Sequence, residues 1–181
     1  MVRLALLVML LGPLLGGCGG AGPWGYARRY EPLDPEEAHL QRAVPLSYED
    51  ARRFPDRYAG TFVGWFGTVE AMEPLQDGRL RLVLRFRTHQ ARHLCADERA
   101  SSCRVTVTDR VGEPFVAVVR PRPEQLRGPD RLWKKSLVRV YGPLRGELDE
   151  ERQVPVVEAV YFRHWPVGRY VTTAMRGAMR Q

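Results

Sequence analysis

Thr61-Phe62-Val63-Gly64-Trp65-Phe66-Gly67-Thr68-Val69 is the stretch on which the fold turns. Its residues are mostly aromatic or β-branched, as in strands, yet Gly64 and Gly67 interrupt it. Glycine inside a strand marks a bulge or a sharp bend of the kind found at a barrel corner. A strand bent in this way can serve two sheets.

Working outward, the Asp77-Gly78 pair is a turn signal and leads into Arg79-Leu80-Arg81-Leu82-Val83-Leu84-Arg85-Phe86-Arg87. Leu80, Leu82, Leu84 and Phe86 share one face; Arg79, Arg81, Arg85 and Arg87 share the other with Val83. That is a period of two, with one face buried and one wet. Residues 104–108 repeat the pattern, and residues 114–119 form a more fully buried run. Residues 123–127 suit one or two helical turns, and residues 136–142 and 154–162 close the series. Three strands, a short helix and two more strands predict an all-β fold: a small, five- to six-stranded OB-like β-barrel with one short helix between strands. A β-sandwich of similar strand count is the alternative, and the helical turn argues against it.

Upstream, Ser47 can cap a short helix that carries Asp50 in its first turn and ends before Pro55. Further upstream, one basic residue, Arg3, precedes the apolar run Leu4 to Leu11 and then Leu15-Gly16-Gly17-Cys18. The order is that of a secretion signal, and the run is far shorter than the roughly 20 residues a spanning helix needs. Small residues before a cysteine look like the bacterial lipobox. The expectation is that residues 1–17 are removed and Cys18 becomes the lipid-bearing first residue; an ordinary signal cut near Gly20 to Gly22 is the alternative. Residues 18–45, rich in Gly and Pro, are expected to be a flexible tether, residues 46–167 the barrel, and residues 168–181 a basic tail. Gly19 after the cysteine favours the outer membrane, with the domain facing the periplasm or the cell surface.

The chain has 28 basic and 21 acidic residues, a formal net charge of +7. Lys134 and Lys135 are its two lysines, and the other basic residues are arginine, as a GC-rich genome would encode. Cys95 and Cys103 sit in an exported chain, where disulfides persist, and are expected to pair across residues 96–102.

The lipobox, the tether, Thr61 to Val69 with Tyr58-Ala59-Gly60 before it, Val140-Tyr141-Gly142, and Pro155-Val156-Val157-Glu158-Ala159 followed by His164-Trp165-Pro166 together resemble the Slp family of starvation-inducible outer-membrane lipoproteins. The likeness spans about residues 45–167. It implies an outer-membrane lipoprotein with an OB-like barrel and no established enzymatic activity. The chain departs from that family at residues 89–103, a loop bearing His and Cys.

No motif for catalysis or for a cofactor stands out, so a non-enzymatic protein without a cofactor is expected. Glu36-Glu37 and Glu147 with Asp149-Glu150-Glu151 are explained by solvation in a tether and a hairpin loop. His89 and His93 near Cys95 and Cys103 are weak metal candidates, because their spacing fits no trusted ligand pattern. Glu158, in an apolar strand, is either a ligand group or the partner of an arginine on a neighbouring strand, and the second is favoured. The Arg79, Arg81, Arg85, Arg87 face is a candidate surface for an anionic partner, with a plain solvated strand face the reading favoured over any partner. Base stacking needs exposed aromatics, which that face lacks, so nucleic acid is excluded in favour of an envelope protein or an anionic headgroup, with the membrane engaged through the lipid anchor. Two functions of different class follow: a structural or protein- and lipid-interaction lipoprotein, or an OB module capturing a small or oligomeric anionic ligand in the periplasm. Exposed aromatics around a cavity favour the second, and a smooth filled barrel the first.

Overall fold

The computed structural model describes residues 28–29, 32–93 and 105–174, with side chains for residues 32–90 and 105–174. Its strands are β1 (Arg28–Arg29), β2 (Phe62–Pro74), β3 (Leu80–His93), β4 (Val105–Val119), β5 (Leu137–Leu148), β6 (Pro155–Glu158), β7 (Tyr161–Trp165) and β8 (Tyr170–Thr172). Helix α1 covers Asp34–Arg42 and α2 covers Tyr48–Arg53; single 3-10 turns lie at Asp56–Tyr58 and Pro123–Leu126.

Five strands close on themselves. β2 pairs with β3, β3 with β4, β4 in parallel with β6, β6 with β5, and β5 with β2. This is the expected OB-like barrel, with the Pro123–Leu126 turn between its third and fourth strands. β2 is the shared strand: Phe62 to Thr68 face β5, while Phe66 to Pro74 face β3. Gly67 lies where both pairings overlap, and a Cβ there would meet the Leu84 Cβ at 2.8 Å and the Phe115 ring at 2.9 Å. A side chain at this corner would displace the core. Gly142 is tighter still, since its Cβ would come within 2.0 Å of the Glu158 carbonyl oxygen where β5 passes the break between β6 and β7.

The alternation seen in β3 is realised in part: Leu82 and Leu84 are fully buried among Val63, Trp65, Phe115, Val140 and Val157, with Leu80 and Phe86 partly buried beside them, but Val83 on the arginine face is fully buried as well. Helix α2 packs against this interior. Ser47 caps it by accepting from the Asp50 backbone N–H at 3.0 Å. Buried Tyr48 places its ring 6.0 Å from Trp65 and 5.8 Å from Phe86, and donates its hydroxyl to the Pro114 carbonyl at 2.8 Å. The barrel is therefore filled.

The structure departs from expectation in four places, the first being that the run 154–162 is not one strand but two, β6 and β7, broken at residues 159–160. β3 and β4 run on past the barrel as an arm, to His93 and from Val105, with register shifts near Arg85, which faces Pro114; proline donates no ladder bond and is confined to such irregular positions. Residues 34–42, inside the expected tether, form α1 and are docked on the barrel wall, with Glu36 fully buried. Part of the expected basic tail is β8, parallel to the start of β4, with Val171 buried. Among the described residues, no helix is long and apolar enough to cross a membrane.

Candidate anion-binding groove

Beside the arm, the outer wall of the barrel carries a groove of about 450 Å³. Thr68 and Glu70 of β2, Arg85 and Arg87 of β3, Lys134 and Lys135 of the β4–β5 connection, and Tyr170 of β8 line it. Outward-facing positions of neighbouring strands supply the first four residues, because side chains two apart share a face. The lysine loop is pinned to β2 by backbone bonds: the Lys135 N–H donates to the Val69 carbonyl at 2.7 Å, and the Val69 N–H to the Ser136 carbonyl at 2.9 Å. Lys135 adopts a left-handed backbone, φ 68°, to make that turn. Tyr170 closes the other side by donating its hydroxyl to the Lys135 carbonyl at 2.8 Å. Burial raises the Tyr170 phenol above its ordinary pKa, and nearby Arg87 opposes that rise.

Four cations face one carboxylate here. Glu70 accepts from Arg85 at 3.1 and 3.3 Å, and Arg87 donates to the Thr68 hydroxyl and to the carbonyls of Thr108 and Asp109 at 3.2–3.4 Å. Neutral acceptors orient Arg87 without cancelling its charge. Lys134 and Lys135 make no ion pair among the described residues. Next to them Trp133 is 56% exposed, with the Arg131 guanidinium 5.0 Å from its ring centroid. Cations with a neighbouring aromatic suit an anionic group attached to an apolar or planar body.

The structure divides the arginine face of β3. Arg79 is engaged by Asp77 and Glu158, and Arg81 by Glu73 and by both Asp149 oxygens at 2.8 Å. Only Arg85 and Arg87 of the four reach the groove. Asp149 is accordingly not a merely solvated loop carboxylate: burial works against its ionisation, but the bonds from Arg81 and the Arg152 backbone outweigh it and lower its pKa. Glu158 pairs with Arg79 and with Arg145 of adjacent β5, the arginine-partner arrangement favoured above.

Glu36 is a second carboxylate that sequence reasoning assigned to solvent. It accepts from the Tyr141 hydroxyl at 2.7 Å, from Arg139 at 3.4 Å and from Arg163 at 3.2 Å. Those arginines lie over rings in turn, Arg139 over Phe66 and Tyr141, and Arg163 over Trp165. His39, one turn on, stacks 5.0 Å from Tyr161.

The His89 ring stacks on Phe66 at 4.5 Å. His93 pairs with Val105 and Arg28 in the arm; its side chain, like Cys18, Cys95 and Cys103, lies outside the described residues. Among the described residues, no cluster of three or more His, Cys, Asp or Glu side chains could hold a metal ion. The groove itself was missed in the sequence. Two of its cations, Arg85 and Arg87, belong to the arginine face read from the sequence, and the remaining signal was the placement of both lysines side by side after a tryptophan.

No protein-family profile matches the chain, and no curated protein matches it. Among solved structures, it is similar to the small single-stranded DNA-binding protein from Streptomyces coelicolor, with 16% identity over 61% of this chain and 96% of that chain and a TM-score of 0.36. The exclusion of nucleic acid drawn from the sequence is corrected: it rested on a lack of exposed aromatics beside the cations, and Trp133, next to Lys134 and Lys135, is one. Nucleic acid belongs among the partner classes to be tested.

Proposed function

We propose that the chain is a non-enzymatic outer-membrane lipoprotein, held by acyl chains on Cys18, whose OB-like barrel binds an anionic ligand in the groove between β2, β3, β8 and the Lys134-Lys135 loop. The observation that carries the binding role is the groove's charge: four cations against one carboxylate that Arg85 already engages. The filled interior leaves the outer wall as the place for a ligand. The lipobox at residues 15–18 and the Slp-like motifs support the anchor and the compartment. In that compartment Cys95 and Cys103 form a disulfide, which thiol labelling under non-reducing denaturation checks.

Two measurements test the reading separately. The mass of protein extracted from membranes should correspond to a chain starting at Cys18 with added acyl groups, and a Cys18→Ser chain should leave the membrane fraction; a mature chain starting elsewhere without lipid overturns the anchor. Titration with inorganic polyphosphate should show binding that weakens steeply with salt and that Arg87→Ala and Lys135→Ala each reduce. Binding indifferent to both substitutions overturns the groove.

A further inference from the structure

The groove lies at the end of the molecule from which the N-terminal segment leaves. In the arm, Arg28 of β1 pairs with His93, His93 with Val105, and Val105 with Tyr170 of β8. Neighbouring strands lie about 4.8 Å apart, so the exit of the chain and the wall of the groove are separated by about 15 Å. Ten residues join Cys18 to Arg28, a reach of at most about 35 Å. On the anchoring reading above, which this inference presupposes, a chain held at Cys18 keeps this end of the barrel close to the bilayer.

The surface at that end has the chemistry of a membrane interface. Trp133 is exposed directly beside Lys134 and Lys135, Arg131 lies against its ring, and Val111, 51% exposed, lines the groove opposite. Tryptophan settles at the headgroup level of bilayers because its ring is amphipathic, and cations near an anionic leaflet are attracted over about a Debye length. We infer that the Trp133-Lys134-Lys135 loop and the groove beneath it form a second membrane contact, in which the groove takes the phosphate of an anionic phospholipid headgroup and Trp133 enters the interface. The barrel then sits on the membrane rather than swinging from its anchor.

The test uses the full chain with Cys18→Ser, so that acyl insertion contributes nothing and failure of the anchor cannot be mistaken for failure of this contact. Cosedimentation with vesicles containing about one-third phosphatidylglycerol is expected, with none on phosphatidylcholine alone, and the binding is lost at about 0.5 M salt. Lys134→Glu with Lys135→Glu should lower partitioning roughly 25-fold or more, since each cation near such a surface contributes about a factor of five. Trp133→Phe should remove the part of the fluorescence that brominated lipids quench. All three side chains are exposed, so thermal unfolding of the variants should match the parent. Equal binding to neutral and anionic vesicles overturns the inference, as does indifference to the double substitution. Displacement from vesicles by a single-stranded oligonucleotide whose binding depends on Trp133 overturns it too, and assigns the surface to nucleic acid.

Discussion

Glu36→Gln keeps the shape of the side chain and removes the charge that Arg139 and Arg163 face. Removing one member of a buried ion pair leaves the rest uncompensated at low dielectric, so the variant should lose about 3 kcal/mol of stability in urea unfolding. Tyr141→Phe removes only the hydroxyl that Glu36 accepts and should cost about 2 kcal/mol. Unchanged unfolding midpoints would show that α1 is not held through this contact. His164 offers a pH dependence of its own. Burial lowers its pKa, while its bond to the Asp130 carbonyl at 2.9 Å works the other way. The unfolded chain therefore takes up a proton near pH 6.5, where the folded one does not. Stability falls as pH drops below about 6.5 and levels off once the folded imidazole also titrates. Urea midpoints between about pH 7.5 and 5 should show this slope, and His164→Gln should flatten it.

At the scale of elements, β8 is held at its end by one carboxylate. Asp109 accepts from Thr172, from the Thr173 hydroxyl at 2.5 Å and from the Ala174 backbone at 2.9 Å, which lowers its pKa to about 2. Because the folded value is the lower one, this contribution is complete above about pH 4 and is lost as pH falls towards 2. Asp109→Asn should reproduce the loss at neutral pH, read as faster hydrogen exchange at the amides of residues 170–172 with the barrel amides unchanged. Elements of this kind were the hardest to see in the sequence. The β3 alternation of Leu80, Leu82, Leu84 and Phe86 is a local pattern and named the buried face directly. So did Gly64 and Gly67, whose disruption of a strand-like run marked the bend. β8 has only three residues and depends on Val105 to Val107, far away in the chain, so no local periodicity announces it. α1 begins with Asp34-Pro35, a suitable first turn, but the Gly- and Pro-rich run before it made the whole segment read as tether.

For the molecule as a whole, the strand order was enough to predict a barrel, because the five strands that close it each carried a signal of their own and the short helix fell where an OB topology puts it. The groove was not legible, because it draws on β2, β3, β8 and a loop whose proximity exists only once the barrel has closed. The charge on Glu36 was misread for the same reason: its partners Arg139 and Arg163 lie more than a hundred residues away. The two attachments of the N-terminal segment also differ in mechanical strength. A force arriving from the N-terminal side meets β1 first, a ladder of two residue pairs on β3, and only then α1, clamped through Glu36. Peeling β1 releases residues 28–33, about 20 Å of slack, before any load reaches the barrel wall. β1 thus yields before the domain does, and single-molecule pulling from the N-terminus should record that short extension as an early, low-force step ahead of the barrel's rupture.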